Sequence, residues 1–256
     1  FYLASREFEL PELKLLVDAV QSSRFITSGK SRQLIGKLES LASVYEARQL
    51  RRQVFVENRV KTMNESVYYN IDEIHRALTD NRQISFQYCE WTVEKELRLK
   101  KNGDRYCVSP WGLVWQNENY YLVAYDEKCE TVKHYRVDKI LQIRIEEASR
   151  NGRDIFENYD VGELTSRTFG MFGGREETIC LEAHNRLVGV VLDRFGRDIM
   201  IQRKDHEHFK TLVRVNVSGQ FFGWIASLGP DAVIASPDRV RDEYREFLEK
   251  SLSNYK

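Results

Sequence analysis

The sequence has no apolar run long enough to span a bilayer, no secretory leader, no C-x-x-C pair and no surplus charge of either sign. The first two absences leave a cytoplasmic chain as the expectation. Cys89, Cys107, Cys129 and Cys180 lie far apart, which argues against a zinc site or a disulfide framework and for reduced thiols. Lys plus Arg and Asp plus Glu each number 39, so the chain carries no global electrostatic footprint for nucleic acid and any anion site must be local. Catalytic patterns are missing too. There is no nucleophile elbow, no paired catalytic carboxylates and no metal cluster, and Gly173-Gly174 is not followed by the Lys-Ser/Thr of a phosphate loop. Neither an enzyme nor a cofactor is expected. An initial Met is absent as well: the chain begins at Phe1 in what reads as the middle of a strand, so residues are expected upstream.

What is present is an alternating stretch from Tyr106 to Ile145. Its period of two, broken by turn-forming clusters, predicts an antiparallel sheet with one face buried. Trp111 to Trp115 and Tyr120 to Tyr125 read as two strands across a Gln116-Asn117-Glu118-Asn119 hairpin loop, with a break at Ser109-Pro110. Successive strand side chains point to opposite faces. If Tyr120, Leu122 and Ala124 face the core, Tyr121 faces away. The next strand, Lys133 to Val137, then buries Tyr135 and Val137 and leaves His134 and Arg136 on the same side as Tyr121, with Lys139 just beyond. A guanidinium fork, an imidazole and a phenol suit an anion carried on a planar or sugar-containing ligand. The same pattern also fits an ordinary solvated sheet face.

The stretch Arg105-Tyr106, Ser109-Pro110, Trp111-Gly112-Leu113-Val114, Tyr120 to Tyr125 and His134-Tyr135-Arg136-Val137-Asp138-Lys139-Ile140 resembles the WYL domain of bacterial transcription regulators. Here the family's Trp-Tyr-Leu triplet is Tyr120-Tyr121-Leu122, and its Arg-x-Asp-Arg pattern is Arg136-Val137-Asp138-Lys139. Lysine at the last position keeps the charge and loses the fork. The resemblance implies an Sm-like, SH3-type small β-barrel with a ligand pocket at Ser109, Tyr121, His134, Arg136 and Lys139. It implies a nucleotide or single-stranded nucleic-acid effector, a homodimer, and operator DNA contacted through a winged helix-turn-helix ahead of this chain. An aromatic-aromatic-Leu stretch commonly closes that wing, and Phe1 to Leu3 looks like its tail.

The rest of the chain is read around that barrel. Residues 1–80 are expected to form a helical linker or dimerisation region. Its first helix starts near Leu10 with Leu13, Leu16, Val17 and Val20 at helical spacing. A second runs from Ser31 to Ala47, and a third opens at Tyr69 with Asp72 as its cap. The two apolar stripes must pack on each other or on a second copy. Between them and the third helix, Arg48, Arg51, Arg52 and Arg59 surround Val54, Phe55 and Val56, a pattern that is more often a solvated linker than a nucleic-acid patch. The barrel domain spans 81–150 and includes a Lys101-Asn102-Gly103-Asp104 hairpin turn. Residues 151–174 form a glycine-rich connector. Residues 175–256 give the element order βαββαβ and a closing helix, a ferredoxin-like extension domain that resembles the one accompanying WYL domains. His206 and His208 are read as solvated turn residues, with His75 and His184 isolated.

The fold class expected is therefore α+β. The function expected is the effector-sensing and dimerisation portion of a DNA-binding regulator, with no membrane partner. The alternative is a dimerisation module that binds no small ligand.

Overall fold

The computed structural model describes residues 8–50, 61, 64, 66–157, 168–169, 171 and 173–255. Phe1 to Leu3, expected as the tail of a wing, the arginine-rich residues 51–60 and most of the connector lie outside them. The chain forms two compact units, Phe1–Asn158 and Tyr159–Lys256. No described helix is long and apolar enough to cross a membrane.

The first unit opens with helices α1 (Leu10–Ser22), α2 (Ser28–Glu39), α3 (Val44–Leu50) and α4 (Val67–Thr79). Leu13 and Val17 of α1 are buried with Leu50, whereas Leu16 is exposed, so the buried stripe is narrower than its spacing predicts. The single helix expected over residues 31–47 is two. Ser43 donates its backbone N–H to the Glu46 carboxylate, whose own N–H is capped by Ser43 Oγ. That capping box starts a new helix and ends the possibility of a continuous one. Likewise α4 begins at Val67, five residues ahead of Asp72, which therefore sits inside the helix and not at its cap.

The sheet that follows has strands β1 (Arg82–Trp91), β2 (Leu97–Leu99), β3 (Tyr106–Gln116), β4 (Asn119–Asp126), β5 (Thr131–Arg136) and β6 (Ile140–Ser149). All pairings are antiparallel, and the long strand β1 is shared. Ile84 to Phe86 pair with β3, Arg82 to Tyr88 pair with β6 on the other side, and the last residues, Cys89 to Trp91, pair with β2. The result is a curled half-barrel that joins helix and sheet in one unit. Asn102 and Gly103 have the positive φ values expected of the Asn-Gly pair, 53° and 91°, and so does Lys101, but the turn is not a hairpin: β2 and β3 each pair with β1 and not with one another. Ser109-Pro110 is not a break either. Strand β3 runs through it, with a register shift between Pro110 and Gly112.

The concave core holds Ile74, Ala77, Ile84, Phe86, Leu122, Ala124, Tyr135, Val137 and Ile140. Phe86 is stacked on Tyr106 and meets Tyr135 edge-on at 5.2 Å. The Tyr135 hydroxyl is buried without a hydrogen-bond partner among the described residues. A buried hydroxyl that makes no bond costs desolvation and returns nothing. Tyr135→Phe is accordingly expected to be neutral or to stabilise the chain by about 1 kcal/mol in urea unfolding. A loss of stability would show that the hydroxyl has a partner.

After β6 a short helix, α5 (Arg153–Phe156), folds back: Phe156 stacks on Trp111 at 4.8 Å, and the Trp111 indole donates to the Asn151 carbonyl. Gly152 makes this return possible. Its φ is +82°, and a Cβ there would stand 2.7 Å from Tyr125 Cγ.

The second unit follows the order β7 (Arg175–His184), α6 (Val188–Phe195), β8 (Ile201–Arg203), β9 (His208–Val217), α7 (Gly219–Ser227), β10 (Ala232–Ser236) and α8 (Asp238–Ser253). Its antiparallel sheet is ordered β10-β7-β9-β8. Alternate residues Ile179, Leu181 and Ala183 of β7 and Phe209, Val213 and Val215 of β9 pack against Val191, Phe221, Phe222, Ile225 and Val240 from the helices. His184 is not isolated: it opposes His208 across the sheet, with rings 5.5 Å apart, and His208 Nδ1 contacts Asp205. No group of three metal-ligating side chains occurs among the described residues.

Candidate functional site

The face predicted by parity is built by the β3-β4-β5 meander. Tyr121 lies directly opposite Arg136, and Val123 opposite His134, so Tyr121, His134 and Arg136 share one side of the sheet. Leu122, Ala124 and Tyr135 are buried on the other, as expected. Val123 is buried as well, so parity gave its side and not its exposure.

Arg136 is the centre of the site, and it is not idle. Its Nε donates to Asp138 Oδ1 at 3.0 Å and its Nη2 to Asp138 Oδ2 at 2.8 Å, a fork on a carboxylate. Nη2 also donates to Asn119 Oδ1 at 2.9 Å. Nη1 makes no hydrogen bond among the described residues. Burial works against the charge on Arg136, and the Asp138 carboxylate more than offsets it, so the pKa stands above the ordinary arginine value. The Arg136 backbone N–H is donated to the Tyr88 hydroxyl at 3.1 Å. Burial pushes that hydroxyl up to about 12, so it remains protonated at neutral pH. Burial also raises the Tyr121 phenol.

The chain leaves β5 through a 3-10 turn, Val137–Lys139, that carries Asp138 and Lys139 beside Arg136. Side chains far away in sequence fix this turn. Asn70 on α4 donates to the carbonyls of Val137 and Ile140, Asn64 to those of Asp138 and Ile140, and Cys89 to that of Lys139. Every carbonyl of the turn thereby has a partner, as buried or crowded backbone requires. Lys139 stands on the same turn, and its ammonium makes no ion pair among the described residues.

Ser109 lies apart. It opposes Tyr125, two cross-strand steps along the same face from Tyr121, a separation of roughly 13 Å. It is 1% exposed, and its Oγ accepts the Asn151 N–H at 2.8 Å. Its place in the structure is to hold the segment after β6. Of the five expected residues, then, Tyr121, His134, Arg136 and Lys139 gather at one end of the meander and Ser109 does not.

Three contributors were not picked out from sequence: Asp138, Asn119 and Tyr88. The Arg-x-Asp spacing was a signal for the first. Asn119 sits two residues before Tyr121 and so on its face, which was a signal for the second. Tyr88 needed the pairing of β1.

A curled antiparallel half-barrel with Tyr121 and Arg136 on one face is followed by a second unit, a four-stranded sheet with helices packed on it. The model of the WYL domain matches residues 69–145, and that of the WCX domain matches residues 178–252. The chain belongs to the WYL-domain transcription regulators. No curated protein matches it. Among solved structures it is similar to proteasome accessory factor B/C (PafBC) of Arthrobacter aurescens, at 17% identity and a TM-score of 0.33, with 97% of this chain and 36% of that one covered. It is also similar to a CRISPR Cas-related protein at 17% identity and a TM-score of 0.43, with 86% and 60% covered. The chain thus spans less than two thirds of either protein's length.

Proposed function

We propose that this chain is the effector-sensing and dimerisation portion of a bacterial, cytoplasmic DNA-binding regulator whose half-barrel binds a nucleotide-like or single-stranded nucleic-acid ligand. In this reading the second unit is a ferredoxin-like sandwich, the regulator works as a homodimer, and operator DNA is contacted by a domain ahead of Phe1. The observation that carries the reading is the cross-strand pair of Tyr121 and Arg136, with Lys139 on the turn that leaves β5. Arg136 binds phosphate, Lys139 adds charge, and Tyr121 stacks on or hydrogen-bonds to a base. His134 lies two residues before Arg136 on β5, opposite the buried Val123. Effector binding acts on DNA through its differential affinity for two dimer arrangements, because a ligand that binds both equally shifts nothing.

The test is equilibrium binding of labelled single-stranded oligonucleotides and a panel of cyclic nucleotides to the 256-residue chain at low and moderate salt. Salt-sensitive binding that Lys139→Ala weakens about threefold to tenfold supports the site, since one lost phosphate contact reduces both affinity and salt slope. No binding at low salt, or binding indifferent to Lys139 and Arg136, overturns it.

A further inference from the structure

The first unit holds a concavity away from the β3-β4-β5 meander. A cavity of about 280 Å³ lies between the turn into α2 and the first turn of α4. Phe25, Ile26, Leu34, Val67 and the ring of Tyr68 wall it, and Lys30 is the one charged residue among the described lining. Lys30 Nζ stands 4.6 Å from the Tyr68 ring centroid and donates to Gln33 Oε1 at 3.1 Å. It has no carboxylate partner among the described residues.

We propose that this cavity binds a small aromatic carboxylate, with the ring against the apolar wall and the acid on Lys30. Volume sets the size of the ring. A buried apolar cavity of about 150 Å³ takes benzene, so the larger space here suits a bicyclic ring of naphthalene size. Charge sets the polar group. An ammonium beside apolar walls, satisfied only by an amide oxygen and a ring face, gains a charge-assisted hydrogen bond from a carboxylate. A polyphosphate is disfavoured, because one lysine cannot neutralise it and the walls offer it few donors.

The cavity also touches residues next to Tyr121 and next to Arg136. Phe25 meets Trp115 edge-on at 4.9 Å and Tyr120, the neighbour of Tyr121, at 5.2 Å. Asn64, another residue of the lining, donates to the carbonyl of Asp138. An occupant therefore contacts side chains that set the positions of both β4 and the Arg136 turn. The aromatic-acid site itself does not depend on whether that face takes a nucleotide.

The experiment is calorimetric titration of the 256-residue chain with 2-naphthoate and, in parallel, with the neutral 2-naphthamide. Saturable binding of naphthoate is expected, weakened roughly tenfold by Lys30→Met while the amide is unaffected, because only the acid uses the ammonium. Leu34→Trp, which fills the cavity, is expected to abolish both. Arg136→Ala should change neither. Naphthoate binding that survives Lys30→Met, binding that Arg136→Ala removes, or the absence of saturable binding overturns the proposal. If Leu34→Trp fails to fold, the Lys30→Met comparison of acid and amide decides alone.

Discussion

Arg136→Ala is expected to weaken oligonucleotide binding by one to two orders of magnitude, and Asp138→Asn to tighten it by roughly tenfold. The two residues touch, yet the signs differ. In the structure the guanidinium already holds a carboxylate through Nε and Nη2, so an incoming phosphate must displace Asp138 before it can take the fork. In the proposed reading Asp138 competes with the ligand for the same fork. An asparagine has a similar shape and lacks the charge. It binds the guanidinium less tightly, and the net charge of the site rises by one. The salt dependence should steepen accordingly, by somewhat less than one unit of slope for a single strand. Arg136→Lys should fall between wild type and alanine, since it keeps the charge and loses the fork. The opposite result is informative: if Asp138→Asn weakens binding as Arg136→Ala does, the carboxylate positions the arginine for the ligand and does not compete with it. Both variants are measured at low and moderate salt, with far-UV circular dichroism to show that the fold is retained.

The fork of Arg136 on Asp138 was not legible in the sequence, although Arg136 was. Alternation over Tyr120 to Tyr125 and Lys133 to Val137 placed Tyr121, His134 and Arg136 on one face because strand parity is local and rigid. What Arg136 touches depends on how the chain leaves β5. That exit is a 3-10 turn held by Asn64 and Asn70, which lie about seventy residues earlier in the chain. Ser109 came from the resemblance and not from parity, and the structure places it two cross-strand steps from Tyr121, where its Oγ accepts the Asn151 N–H. In the helical region the error was of another kind. Ser43 and Glu46 form a capping box that local reading can find, and the apolar periodicity over residues 31–47 hid it. In the second unit, by contrast, each strand and helix is amphipathic by itself, and the order βαββαβ followed from pattern alone.

Phe86→Ala should produce the largest loss of stability, about 3–5 kcal/mol in urea unfolding, the range for truncating a fully buried phenylalanine. Phe86 is 0% exposed and touches the rings of Tyr88, Tyr106 and Tyr135, so its removal opens a cavity among three large side chains that cannot all collapse into it. Phe86→Leu should cost much less, because it conserves most of the volume. The same variant tests how the core reaches the site. Tyr88 is packed edge-on against Phe86, and its hydroxyl receives the backbone N–H of Arg136. A ring free to turn releases that hydrogen bond and with it the last residue of β5. Oligonucleotide binding should then weaken in Phe86→Ala even where the chain is still folded, and Tyr88→Phe should reproduce part of that loss with little change in the core, since it deletes the hydroxyl and keeps the ring. Should Phe86→Ala bind normally while losing the expected stability, the aromatic cluster supports the half-barrel only and Arg136 is held by Asp138 and Asn119 alone. Should Tyr88→Phe weaken binding as much as Phe86→Ala does, the single hydrogen bond to the Arg136 backbone is what joins the core to the ligand face.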